Sequence, residues 1–262
     1  MPPALAGIGV LVTRPAHQAG PLTALIEEAG GRVVLFPTLA IVPPADPAPL
    51  GAIIENLAGY DIAVFVSPNA VTHALTAMER VRGARVPPRL RVAALGEATA
   101  QRLRHSHVDV HIAPVGRYDS EALLALAPMG DVRGKRIVIF RGDEGRPLLG
   151  DTLTSRGAHV DYAVCYRRVA PRRDPAPVID AFAQGLIDVV TVTSVVIVRN
   201  LFTMLADAGR EYLVATPFIA NSDRVARACE ELGCRHRPRV ARAATDAGML
   251  EALVAWRGES AL

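Results

Sequence analysis

Four residue types recur at one spacing. Arg14 and Arg141, Gly30 and Gly157, Asp61 and Asp188, and Ser67 and Ser194 each stand 127 residues apart. In a chain of 262 residues, that offset points to two copies of one unit. The residues between the anchors say what kind of unit. Apolar, Val/Ile-rich runs cover 8–13, 33–36, 62–66, 92–95, 136–141, 160–166, 189–193 and 218–221. They lack strict alternation, which marks strands buried on both faces of a parallel sheet. Between them, 21–29, 68–78, 97–103, 147–156, 195–205 and 223–232 carry the i, i+3, i+4 spacing of helices. Strand followed by helix, repeated, predicts an α/β architecture.

Two stretches break the rhythm. Phe36–Pro44 and Tyr166–Pro171 each follow a strand, stay extended and run into proline, the composition of a linker. They occupy matching places in the two copies. With linkers at about 37–44 and 166–171, one α/β domain is 42–167, and the other is discontinuous, 1–38 with 170–262. A simple split into 1–127 and 128–262 is the alternative. Two linkers side by side make a hinge, with a cleft between two similar domains.

Several classes of protein fit poorly. No apolar run reaches the roughly 18 residues of a membrane span. No basic residue precedes Arg14, so the start reads as a first strand rather than a secretory signal, and the protein as cytoplasmic. The net charge of +3 is too small to imply nucleic acid. Lys135 is the sole lysine among 29 basic residues, and the arginines have the planar fork that holds carboxylates. Cys165, Cys229 and Cys234 show no disulfide framework. Cys229, Cys234 and His236 are a poor zinc pattern, and His105, His107 and His111 read as solvated; no metal is expected.

In open parallel sheets, ligands bind beyond the carboxyl ends of the strands. The run DIAVFV ends on Ser67-Pro68-Asn69, where the serine can cap a helix and the proline suits its first position. Free N–H groups there favour an anion, and Ser194 repeats the arrangement. Thr13-Arg14-Pro15, Arg141–Arg146 and Leu95–Thr99, with Gly96, are turns of the same kind. None matches a dinucleotide or P-loop fingerprint, so no cofactor is expected. These hydroxyls, arginines and amides suit a polyanionic small molecule.

VLVTRP at 10–15, FPTLAIVP at 36–43, VSPNAV at 66–71, ALGEATAQRL at 94–103, RGDEGR at 141–146, SRGAHV at 155–160 and CYRRVAP at 165–171 together resemble the uroporphyrinogen-III synthase family. The resemblance implies two α/β domains joined by a two-stranded linker, a monomer, and no cofactor. It implies that the linear octacarboxylate hydroxymethylbilane loses its hydroxyl, and that the macrocycle closes with the last pyrrole inverted through a spiro intermediate. It also implies a transient partner in the upstream hydroxymethylbilane synthase. Tyr166 matches the family's tyrosine, a phenol protonated at neutral pH as a general acid must be. Thr99 matches a hydroxyl position beside the substrate. Thr13, Arg14, Ser67, Asn69, Gly96, Arg141 and Ser194 match binding positions. Where relatives often read Gly-x-x-Thr, this chain has Ser222-Asp223-Arg224-Val225, and Ser222 is the residue left to make that contact. A non-catalytic tetrapyrrole- or anion-binding sensor of the same fold is the alternative.

Overall fold

Strands that bury both faces can pair only edge to edge, and here they build two separate sheets. The computed structural model describes residues 3–82 and 86–260. In chain order the elements are β1 (Gly9–Val12), α1 (Ala16–Glu28), β2 (Arg32–Leu35), β3 (Ala40–Val42), α2 (Ala48–Glu55), β4 (Ile62–Phe65), α3 (Pro68–Arg82), β5 (Arg91–Ala94), α4 (Glu97–His105), α5 (Ser120–Leu124) and α6 (Ala127–Gly130). Then follow β6 (Arg136–Gly142), α7 (Leu148–Ser155), β7 (His159–Val169), α8 (Ala176–Ala183), β8 (Val189–Val192), α9 (Val195–Ala215), β9 (Phe218–Ala220), α10 (Asp223–Glu231), β10 (Arg239–Val240) and α11 (Asp246–Ser260).

One sheet has the order β10-β9-β8-β1-β2, the other β3-β7-β6-β4-β5. In the first, β1 pairs in parallel with both β2 and β8. In the second, β6 pairs in parallel with β4 and β7. Every residue of β1, β4 and β8 is buried, as unalternating apolar strands require. The chain forms two compact units: the segment through Ala40 together with everything from Val169 onward, and Ile41–Arg168. The core of the first is built from Leu11, Val190, Ile197, Leu201 and Phe218 on one face of the sheet, and Val10, Val12, Leu22, Ile26 and Leu253 on the other. That of the second has Phe65, Val71, Val138 and Phe140 on one face, with Ile62, Val64, Ile139 and Leu153 on the other.

The recurring residues do the same work in each unit. The Gly9 N–H donates to Asp188 Oδ2 at 2.7 Å, and the Arg136 N–H to Asp61 Oδ2 at 2.8 Å; Gly9 and Arg136 are themselves 127 residues apart. Each aspartate thus ties the start of its own strand to the start of a neighbour. Gly30 (φ +83°) and Gly157 (φ +87°) both take the left-handed conformation after a helix, which only glycine adopts without strain.

Two helix bounds differ from expectation, and the extended segments gain pairing. Helix α1 begins at Ala16, five residues before the expected Pro21, and carries that proline inside it. Pro21 is exposed, and burial of Ala19, Leu22 and Ile26 holds the helix across it. The two extended segments include paired strands: β3 lies beside β7 at one edge of the second sheet, β7 continues through Val169, and the unit boundaries fall within both segments. Helix α9 continues past the expected end at Leu205, but Ala206 (φ 46°, ψ −149°) breaks it into two helical pieces. The second piece packs so closely on Leu205 that a Cβ at Gly209 would lie 2.6 Å from the Leu205 Cβ.

The two aspartates differ in burial, and stability should follow. Asp188→Ala leaves the buried Gly9 N–H unpaired, at a cost of about 1–3 kcal/mol. Asp61→Ala exposes an Arg136 N–H that water can reach, at a cost of about 1 kcal/mol or less. Urea denaturation of the two variants beside the parent tests the ranking; equal losses would refute it.

Candidate functional site

The polar residues singled out in the sequence fall at the carboxyl ends of strands in both units. In the unit containing Ile41–Arg168, Ser67 follows β4 and caps α3, its Oγ accepting the Ala70 N–H at 3.1 Å. Asn69 sits in the same first turn, half-buried. Gly96 ends β5 as the N-cap of α4, its backbone extended (φ −154°), and Thr99 is buried in that helix's first turn. A side chain at position 96 would press on Tyr118, whose Cβ would be 3.3 Å from the added Cβ.

Tyr166 is brought into hydrogen-bond range of Ser67. Its Oη lies 3.2 Å from Ser67 Oγ. The ring is 1% exposed and belongs to the core. Two features of β6 make room for it. The register between β6 and β7 shifts after Arg141, so that Gly142 comes opposite Tyr166. Gly142 has no side chain, and a Cβ there would lie 2.8 Å from two ring carbons. The His73 ring stands 5.6 Å from the Tyr166 ring on the α3 side.

Arg168 completes the cluster. Its Nη2 donates to Tyr166 Oη at 3.2 Å, and its guanidinium carbon lies 5.5 Å from the ring centroid. Among the described residues no carboxylate forms an ion pair with it. The sequence reading passed over Arg168, Gly142 and His73. One signal was available for Arg168: residues two apart on a strand share a face, so an arginine two places after the tyrosine belongs beside it.

Arg141 is placed differently. It folds back on its own turn, with Nε donating to Gly142 O at 3.1 Å and the guanidinium 5.0 Å from the Tyr162 ring centre. A groove of about 780 Å³ lies elsewhere in this unit, along α3 and α4, lined by Leu75, Leu90, Arg102, His107 and His111 among others; none of the expected residues lines it.

In the other unit, Thr13, Ser194 and Ser222 follow the neighbouring strands β1, β8 and β9. Thr13 is fully buried and its hydroxyl donates to Thr191 O at 2.6 Å, a bond that staples β1 to β8. Arg14 forms an ion pair with Asp246 at the start of α11, so its charge is already matched. Ser194 Oγ accepts the Ile197 N–H at 3.2 Å, the counterpart of the Ser67 cap. Ser222 is the N-cap residue of α10 and makes no capping bond with its side chain; its Oγ lies 3.4 Å from Asn221 Oδ1.

The thiols sit away from these strand ends or lack nucleophilic character. Burial pushes the Cys165 thiol up to about 12. Cys229 and Cys234 close the end of α10, where the Cys234 N–H donates to Cys229 O and the Gly233 N–H to Glu230 O, the paired bonds of a Schellman turn. A hydrogen bond with Cys234, together with burial, pushes the Cys229 thiol up. Among the described residues, no group of three His, Cys, Asp or Glu side chains is placed to hold a metal, and no helix is long and apolar enough to cross a membrane.

Comparison with known proteins bears on what such a site does. The family model described as Uroporphyrinogen-III synthase HemD matches residues 20–251. The uroporphyrinogen-III synthase of Salmonella typhimurium is 32% identical over 228 residues, covering 86% of this chain and 92% of that protein. That of Escherichia coli is 31% identical over 229 residues, with the same coverage. Among solved structures, a mutant uroporphyrinogen III synthase from the extremely thermophilic bacterium Thermus thermophilus shares the fold at a TM-score of 0.61 and 21% identity, covering 97% of this chain and all of that one. The Helicobacter pylori uroporphyrinogen-III synthetase does so at 0.59 and 15% identity, covering 95% and 99%. With a family model spanning most of its length and curated relatives matched nearly end to end, the chain belongs to the uroporphyrinogen-III synthase family.

Proposed function

We propose that the protein is an enzyme that converts hydroxymethylbilane to uroporphyrinogen III, in tetrapyrrole biosynthesis. The observation that carries this reading is the similarity along 86% of the chain to relatives named for that activity. The same similarity favours turnover over a sensor that only binds.

The chemistry needs a leaving hydroxyl, a proton to help it go, and a folded substrate. Departure of the hydroxyl from the terminal carbon as water leaves an electrophilic azafulvene. Attack by the substituted position of the last pyrrole gives a spiro centre, and its opening and reclosure inverts that ring. The protein's share is to hold the linear chain so that this route outruns direct closure. Tyr166 is the proposed source of the proton, supported by its hydrogen bond to Ser67 at a strand end. Backbone amides and hydroxyls at the starts of α3, α4, α9 and α10 are the proposed carboxylate contacts, through Ser67, Asn69, Gly96, Thr99, Ser194 and Ser222. Thr13, Arg14 and Arg141 contribute largely through the backbone groups of their turns. The protein works without a cofactor, as a cytoplasmic monomer that receives its unstable substrate from the upstream hydroxymethylbilane synthase.

Freshly prepared hydroxymethylbilane supplied to the protein should yield the type III isomer well above the spontaneous background, which closes without inversion to type I. Product that is type I alone, at the spontaneous rate, would remove the enzyme reading. Tyr166→Phe should lower kcat by about 100-fold if the phenol supplies the proton. Unchanged turnover would take Tyr166 out of that role.

A further inference from the structure

One of the hydrogen bonds at Tyr166 has a fixed direction, and with the phenol buried it favours donation to Ser67. Arginine has no acceptor, so Arg168 Nη2 donates and Tyr166 Oη accepts. The phenol is 1% exposed, so its proton does not point into water. Ser67 Oγ, 3.2 Å away, is a polar neighbour that can take it. That oxygen already accepts the Ala70 N–H at 3.1 Å. A hydroxyl has two acceptor positions and one proton. With both acceptor positions filled, Ser67 is left with its own O–H directed outward, and Ser67 is half-exposed where Tyr166 is buried.

From this order of donors we infer that Ser67, rather than Tyr166, is the catalytic residue that touches the leaving hydroxyl, and that Tyr166 acts through it. The inference rests on the enzyme reading above. As the C–O bond of the terminal hydroxymethyl group breaks, its electron pair stays on oxygen and the Ser67 proton joins it, so water departs. The Tyr166 proton moves to Ser67 in the same step. The phenolate that remains is held by the Arg168 guanidinium over its ring and oxygen. When the inverted pyrrole closes the macrocycle, the carbon that formed the new bond loses its proton, and the relay takes it back. The balance is one water lost per macrocycle, with no oxidant or reductant. Arg168 is a positioning residue: it sets the direction of the phenol's bond and steadies its anion.

The test compares kcat and KM on hydroxymethylbilane, with type III product as readout, for the parent, Ser67→Ala, Ser67→Thr, Tyr166→Phe, the Ser67→Ala/Tyr166→Phe double variant and Arg168→Gln. Thermal midpoints confirm that each is folded. Because the two hydroxyls work in series, Ser67→Ala should cost about 100-fold in kcat with KM changed by less than about threefold, and the double variant should be no slower than the slower single one. Ser67→Thr keeps both the helix cap and the hydroxyl, and should recover most of the rate. Arg168→Gln should lower kcat more than it raises KM. A Ser67→Ala loss below about tenfold, or single losses that multiply in the double variant, overturns the relay while leaving the enzyme reading intact. A parent protein that forms no type III isomer overturns both.

Discussion

A strand covered by helices on both faces has only its ends in reach of water. That constraint governs this chain. It leaves the middles of β1 and β4 wholly apolar and admits one polar side chain to β8, Thr191, whose hydroxyl donates to the Leu11 carbonyl; the other polar groups gather where the strands stop. It also makes those stops demanding, because the next helix starts with unpaired N–H groups. Ser67 and Ser194 answer that demand with the same bond, to the N–H three residues on. A capping hydroxyl is therefore present at the mouth of each sheet before any chemistry is asked of it.

Duplication supplied the site twice, and the copies then diverged. At the 127-residue offset, Tyr166 corresponds to Leu39, Arg168 to Ile41 and His73 to Asn200. Around Ser67 these positions hold a buried phenol, a guanidinium and an imidazole ring. In the other copy, Leu39 is buried among apolar residues and Asn200 ties down the Thr38 carbonyl at 2.7 Å. There Ser194 has its capping bond and no phenol behind it. The relay proposed for Ser67 therefore has no counterpart at Ser194. The arginines divide in a parallel way. Arg14 is neutralised by Asp246, 232 residues further on, while Arg168 has an aromatic ring and a phenol oxygen in place of a carboxylate.

The strands, the capping serines and the duplicated frame could be read directly from the chain, because each is a local pattern: an apolar run, a Ser-Pro, a fixed spacing. What escaped depended on partners far away or on competing local signals. The apolar spacing marked a helix only from Pro21; the buried Ala19, Leu22 and Ile26 carry the helix through that proline from Ala16. The segment from Tyr166 was legible as extended chain running into proline, but its pairing was not: β7 runs on to Val169 with β3 alongside. That extension puts Tyr166 inside a sheet, and so decides its burial. The absent side chain of Gly142, which admits the ring, leaves no pattern of its own in one sequence.

Burial also bears on the proposed relay through Ser67. A phenol open to solvent would exchange its proton with water at every encounter, and its anion would be stabilised by water whether or not substrate were present. Enclosed by Gly142, His73 and the core, the Tyr166 hydroxyl has Arg168 and Ser67 as its hydrogen-bonding neighbours. Arg168 can only donate; a serine hydroxyl such as Ser67's can pass a proton on in either direction. In the proposed relay, the path that delivers a proton when water departs is the same path that recovers one when the ring closes, so the cycle ends with Tyr166 and Ser67 as they began.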